Sequence, residues 1–147
     1  MKAPKGPLSG LEIDHIGIAV PSLAQGKLFY EALGFKQMST EEVPSEMVKV
    51  GFLQLDNQAA IELLEPTSPE SPVAKFIDKR GPGIHHICLR VKDIKATMDQ
   101  LKAKGMQLIN SEPKKGAHNC WVAFVHPKST GGVLIELSQP AQGEGHE

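Results

Sequence analysis

Two stretches decide the fold: residues 13–20, IDHIGIAV, and residues 84–91, IHHICLRV. In the first, Ile16, Ile18 and Val20 alternate with small or polar residues, which is the period of a half-buried strand. In the second, Ile87, Leu89 and Val91 take the matching positions. A shift of 71 residues carries His15 onto His86 and Val20 onto Val91. It also carries Ser22 to Asp93, Leu23 to Ile94, Ala32 to Ala103, Gly34 to Gly105 and Glu41 to Glu112. Farther along the offset grows to 74, so that Ile61-Glu62-Leu63 and Pro66 fall on Ile135-Glu136-Leu137 and Pro140. Three extra residues in a loop of the second half account for the drift. A repeat of this kind constrains the whole fold, because both copies must form the same elements.

Each strand is followed by a helix signal. Ser22 or Asp93 is a suitable N-cap, an apolar residue follows, and Gly34 or Gly105 can take the left-handed conformation that ends a helix. Strand-rich stretches come next, at 47–55 and 59–64 in the first half and at 119–126 and 132–138 in the second. The expected order is strand, helix, then two or three strands, twice over, an α+β arrangement. Modules 11–66 and 83–140 are joined by the Pro- and Gly-rich segment 67–82, where Val73, Phe76 and Ile77 suit one or two helical turns. Residues 1–10 and 141–147 are polar tails, expected to be loosely ordered.

Composition narrows the functions open to the chain. Its 147 residues amount to one domain. Sixteen basic against 17 acidic side chains give a net charge of −1, so there is no bulk field to hold nucleic acid or an anionic membrane. With five Phe, one Tyr and one Trp, the core must be aliphatic. No apolar run approaches the ~20 residues of a membrane helix, and the first ten residues carry no secretory apolar region, which points to the cytoplasm. Cys88 and Cys120 have no zinc-site spacing and read as reduced thiols.

Four polar residues fall at duplicated positions inside apolar strands. His15 shares its strand face with Gly17 and Ala19, and small neighbours leave open space in front of an imidazole. In the His85-His86 pair the repeat selects His86, on the face of Cys88 and Arg90. His85 lies on the face of Ile87 and Leu89, which suits a structural role. Glu62 and Glu136 each sit in an Ile-Glu-Leu sequence, where a carboxylate is costly to bury without a partner. Two His and two Glu from paired strands suit one divalent ion, with positions left for substrate: Co²⁺ first, or Mn²⁺, Ni²⁺ or Zn²⁺. The two carboxylates cancel the ion's charge, so that an oxyanion developing on a substrate would be stabilised.

These motifs resemble the vicinal-oxygen-chelate (glyoxalase-like) superfamily and, within it, the methylmalonyl-CoA epimerase family. The resemblance rests on IDHIGIAV from Ile13, LFYEALGF from Leu28, IELLEPTSPESPVAKFI from Ile61, GIHHICLRVKDI from Gly83, KGAH from Lys115 and HPKSTGGVLIELSQP from His126. It covers nearly the whole chain, about residues 11–140. It implies paired βαβββ modules whose sheets curve round a metal cavity, a homodimer, and interconversion of the (R) and (S) forms of methylmalonyl-CoA. By motif position the family's metal ligands fall on His15, Glu62, His86 and Glu136, the set that the repeat gives independently. Glu62 stands where relatives can carry Gln.

Epimerisation requires two acid–base groups on opposite faces of the substrate's C2. Glu136 is one candidate. The family's other base lies in a Glu-Gln-Gly-Val-like stretch, and this chain departs from it. Aligning Val48-Lys49-Val50 puts Ser45 at the Glu and Glu46 at the neighbouring Gln. In a regular strand Glu46 would then point to the other face, whereas a one-residue slip in a loop would deliver it as the second base. For the CoA phosphates of a CoA thioester, Lys114, Lys115 and Lys128 are the candidate contacts, placed in loops after the second helix or the last hairpin. The rival readings are a glyoxalase I type lactoylglutathione lyase and a non-catalytic binding protein of the same fold.

Overall fold

The structure, a computed structural model, describes residues 1–141. It is α+β, and it clusters into two compact units: His15–His85, and Met1–Asp14 together with the chain from His86 on. The divisions fall inside the strands β1 (Glu12–Ala19) and β5 (Gly83–Arg90).

In the first unit β1 is followed by α1 (Leu23–Gly26) and α2 (Leu28–Ala32), then β2 (Ser39–Val43), β3 (Val48–Gln54), β4 (Ala60–Pro66) and α3 (Pro72–Arg80). The strand order is β2-β3-β4-β1, with β1 parallel to β4 and the others antiparallel. Ser22 caps α1 by accepting from the Gln25 amide at 3.2 Å, and Gly34 takes φ 114° beyond α2. The helix breaks at Lys27 beside Gly26, where an added Cβ would come within 3.0 Å of the Val20 side chain. Val20, Leu23, Leu53 and Leu63 form the core, with Ile18, Ile61, Tyr30, Phe35 and Met38 packed against it.

The second unit repeats the pattern. After β5 come α4 (Ile94–Ala103), β6 (Lys114–Lys115), β7 (Cys120–Val125) and β8 (Ile135–Pro140), in the order β5-β8-β7-β6. Asp93 caps α4 through the Ala96 amide at 3.0 Å, and Gly105 follows it at φ 82°. Val91, Ile94, Met98, Ala123, Val125 and Leu137 make its core. Arg90 donates to Asp14 Oδ1 at 3.0 and 2.9 Å and to Glu12 Oε1 at 2.9 Å, holding the start of β1 in this unit. Both cores are mainly aliphatic, as the low aromatic content requires.

The repeat reaches the hydrogen bonds. Val20 N–H donates to Leu64 O at 3.0 Å, and its counterpart Val91 N–H donates to Ser138 O at 2.9 Å. The amide opening α1, Leu23 N–H, donates to Glu65 Oε1 at 2.6 Å, and the amide opening α4, Ile94 N–H, donates to Gln139 Oε1 at 2.8 Å. In both units a side chain from the last strand therefore satisfies a helix N-terminus that would otherwise be an orphan.

Two elements differ from expectation. β2 and β6 are additional edge strands, so Lys114 and Lys115 lie in a strand paired with Val122 and Trp121, not in a loop. Lys128 lies in the 3-10 turn between β7 and β8, not after the hairpin they form. The pairing also revises one equivalence. Glu41 pairs with Val50, and Val50 corresponds to Val122, so the counterpart of Glu41 is Lys114 and not Glu112. Glu112 instead meets Lys95 at 3.4 Å. The expected tail 141–147 lies, beyond Ala141, outside the described residues. Among the described residues no helix is long and apolar enough to cross a membrane.

Candidate active site

Each unit builds one buried imidazole–carboxylate pair. In the first, Gly17 on β1 lies opposite Glu62 on β4, and His15 comes two residues earlier on the Gly17 face. His15 Nδ1 lies 3.1 Å from Glu62 Oε2. In the second, Cys88 on β5 lies opposite Glu136 on β8, and His86 Nε2 lies 3.0 Å from Glu136 Oε1. His15 and His86 are each 6% exposed, Glu62 and Glu136 each 8%. His15 is thus buried against its carboxylate; the small Gly17 and Ala19 make room for the ring but do not leave it open to solvent.

An aromatic ring flanks each carboxylate, and the residue-by-residue reading missed it. Phe52 on β3 pairs with Glu62, and Phe124 on β7 pairs with Glu136. The signal is a shift of 72, intermediate between 71 and 74, which also carries Val50 to Val122. The Phe124 ring meets His86 edge-on with centroids 6.0 Å apart. A ring beside a carboxylate lowers the local dielectric and strengthens whatever ionic contact the carboxylate makes.

The donor set fits a divalent ion. A buried carboxylate is expensive unless it is paired or coordinates a metal, and this chain buries two, each with an imidazole in reach. In each unit the pair offers a carboxylate oxygen and an imidazole nitrogen, donors that suit a borderline-to-hard cation.

The other predicted residues separate. Glu46 ends a 3-10 turn, Pro44–Glu46, and Met47 after it is left-handed at φ 54°, ψ 48°. Strand alternation therefore stops at Val48, and strand parity does not decide which way Glu46 points. Glu46 is half-buried, while Ser45 is exposed. Lys114 shares the face of Val122, Phe124 and Glu136 by register. Lys115 lies on the opposite face, its Nζ 5.2 Å from the Trp121 ring and bonded to Asn119 Oδ1. Lys128 is exposed, its amide donating to His126 Nδ1 at 3.0 Å. His85 packs edge-on against Phe76 of α3, the ring centroids 5.1 Å apart.

Comparison with known proteins agrees with this geometry. A family model described as the Glyoxalase/Bleomycin resistance protein/Dioxygenase superfamily matches residues 14–124. An ethylmalonyl-CoA/methylmalonyl-CoA epimerase of Cereibacter sphaeroides is 43% identical over 130 residues, which span 86% of this chain and 96% of that one. The crystal structure of methylmalonyl-CoA epimerase from Mycobacterium tuberculosis superposes with a TM-score of 0.86 at 35% identity, covering 95% of this chain and 93% of that one. A methylmalonyl-CoA epimerase in complex with methylmalonyl-CoA and ammonium superposes with a TM-score of 0.80 at 36% identity, covering 88% and 94%. The chain belongs to the glyoxalase/bleomycin resistance protein/dioxygenase superfamily and, within it, to the methylmalonyl-CoA epimerase family.

Proposed function

We propose that the protein is an isomerase that interconverts (R)- and (S)-methylmalonyl-CoA, and that His15, Glu62, His86 and Glu136 hold one divalent ion per chain. The observation that carries this reading is the duplicated buried His–Glu pair, at 3.1 and 3.0 Å, in a chain of this family. When bound, the ion would supply positive charge for the negative charge that develops on the thioester oxygen.

The remaining chemistry falls to side chains. The C2 proton lies between a thioester and a carboxylate, so its loss leaves an enolate. In one direction the Glu136 carboxylate takes that proton and becomes a carboxylic acid, while protonated Glu46 gives a proton to the opposite face of C2 and becomes a carboxylate. The reverse direction exchanges the roles. Each transfer by a positioned group is worth ~10²–10⁴ in rate. Both carboxylates are largely withdrawn from water, at 8% exposure each. Lys114, on the face of Glu136, is the first of the three lysines for the CoA phosphates, with Lys115 on the opposite face and Lys128 in the turn between β7 and β8. The protein works as a homodimer in the cytoplasm, with Co²⁺ the first choice of ion.

Deuterium exchange at C2 of methylmalonyl-CoA in heavy water, followed by NMR, tests the reading. Exchange should occur, stop on chelation and return with Co²⁺. Undiminished exchange in metal-free protein would remove the metal from the function, and no exchange by metal-loaded protein would remove the substrate.

A further inference from the structure

The turn that carries Glu46 is fixed from outside itself. Met47 holds a left-handed conformation that is strained for a residue with a Cβ. Such a conformation persists only where the surroundings impose it, and such positions cluster at functional sites. The surroundings here are the corner between β4 and α3. Thr67, just past the end of β4, donates its amide to Met47 O at 2.9 Å, and the Met47 amide donates to Pro44 O at 3.1 Å. Ser71, with 0% exposure, donates its hydroxyl to Glu46 O at 3.4 Å, toward the long end for such a bond. The same hydroxyl accepts from the Val73 amide at 3.1 Å as the N-cap of α3. One buried oxygen thus joins the start of a helix to the backbone of the proposed second base.

We propose that Ser71 is a positioning residue for Glu46: its hydroxyl, as donor to the Glu46 carbonyl, sets where the Glu46 carboxylate stands relative to C2. The proposal rests on the reading of Glu46 as the second base. That base faces one side of C2 and Glu136 the other, so a displaced Glu46 slows proton removal from one epimer and leaves removal from the other intact. A general loss of structure slows both alike.

The test measures C2 deuterium uptake separately from (R)- and (S)-methylmalonyl-CoA with metal-loaded Glu46→Gln, Ser71→Ala and Ser22→Ala proteins, together with their melting temperatures. Ser22→Ala removes a different N-cap of the same unit and serves as the measure of cap loss alone. Glu46→Gln should abolish uptake from one epimer and spare the other. Ser71→Ala should slow uptake from that same epimer by roughly tenfold, short of the ~10²-fold cost of a 1 Å misplacement. Ser22→Ala should leave the ratio of the two rates at its unsubstituted value. If Glu46→Gln spares both epimers, the reading of Glu46 fails and the role of Ser71 falls with it. If Glu46→Gln is selective and Ser71→Ala slows both epimers equally or neither, Glu46 stands and the role of Ser71 is overturned. Should Ser71→Ala not fold, Ser71→Thr, which keeps the hydroxyl, must preserve the ratio, and a changed ratio in that variant overturns the proposal.

Discussion

At the scale of single residues, the two glutamates look interchangeable and are expected to differ in function. Both are buried in Ile-Glu-Leu sequences, both touch a histidine, and both lie opposite a phenylalanine. The difference comes from the proposed chemistry: Glu62 only ligates, whereas Glu136 also moves a proton. An amide oxygen can still ligate a divalent cation but cannot serve as a general base at neutral pH. Glu62→Gln should therefore keep its metal and a substantial share of turnover. Glu136→Gln should lose about 10²-fold or more in kcat, with a smaller change in KM. Metal analysis of the purified variants alongside steady-state kinetics checks this. Equal losses of turnover in the two variants would show that the carboxylates share one role.

At the scale of elements, legibility depended on how local the cause was. The strands β1 and β5, the caps Ser22 and Asp93 and the terminal Gly34 and Gly105 each have a cause within a few residues, and they appear as expected. β2 is polar, Ser-Thr-Glu-Glu-Val, and is held by its ladder to β3, so no alternation announces it. β6 is two residues long and has no periodicity to read. The placement of Glu46 depends on a 3-10 turn and a left-handed methionine, neither of which follows from strand parity. Glu65 and Gln139 meet helix amides 42 and 45 residues away, a distance at which no local pattern survives. Their equivalence predicts a stability difference. Gln139→Ala leaves the Ile94 amide without its side-chain acceptor and should cost about 1 kcal/mol, the usual loss for such a cap. Gln139→Glu copies the arrangement at Glu65 and puts negative charge at a helix N-terminus, so it should match or exceed the unsubstituted protein. Urea denaturation of the two variants decides the matter, and an unaltered Gln139→Ala midpoint would mean that the 2.8 Å contact carries no stability.

At the scale of the whole molecule, a near-neutral chain of 147 residues has been divided into two units with one His–Glu pair each. With a net charge of −1 there is no long-range field to gather a polyanionic thioester, so the contacts proposed for Lys114, Lys115 and Lys128 would have to act at short range. The duplication bears more directly on the metal. One imidazole and one carboxylate make half of a four-ligand set, and a bidentate half is too poor in donors to hold a divalent ion tightly. A shared ion therefore predicts one metal per chain. It also predicts that His15→Ala, altered in the first unit only, lowers the metal content of the whole protein far below half. Separate sites would instead bind two ions, and His15→Ala would leave one of them in place. Because an ion bound only by the folded chain stabilises it by mass action, by about 2.7 kcal/mol at a hundred times its dissociation constant, a chelator should also lower the melting temperature. In His15→Ala that chelator-induced shift should shrink, because there is little ion left to remove. Elemental analysis and thermal denaturation of the same samples measure both quantities. Two ions per chain, or a chelator shift in His15→Ala as large as in the unsubstituted protein, would rule out the shared site.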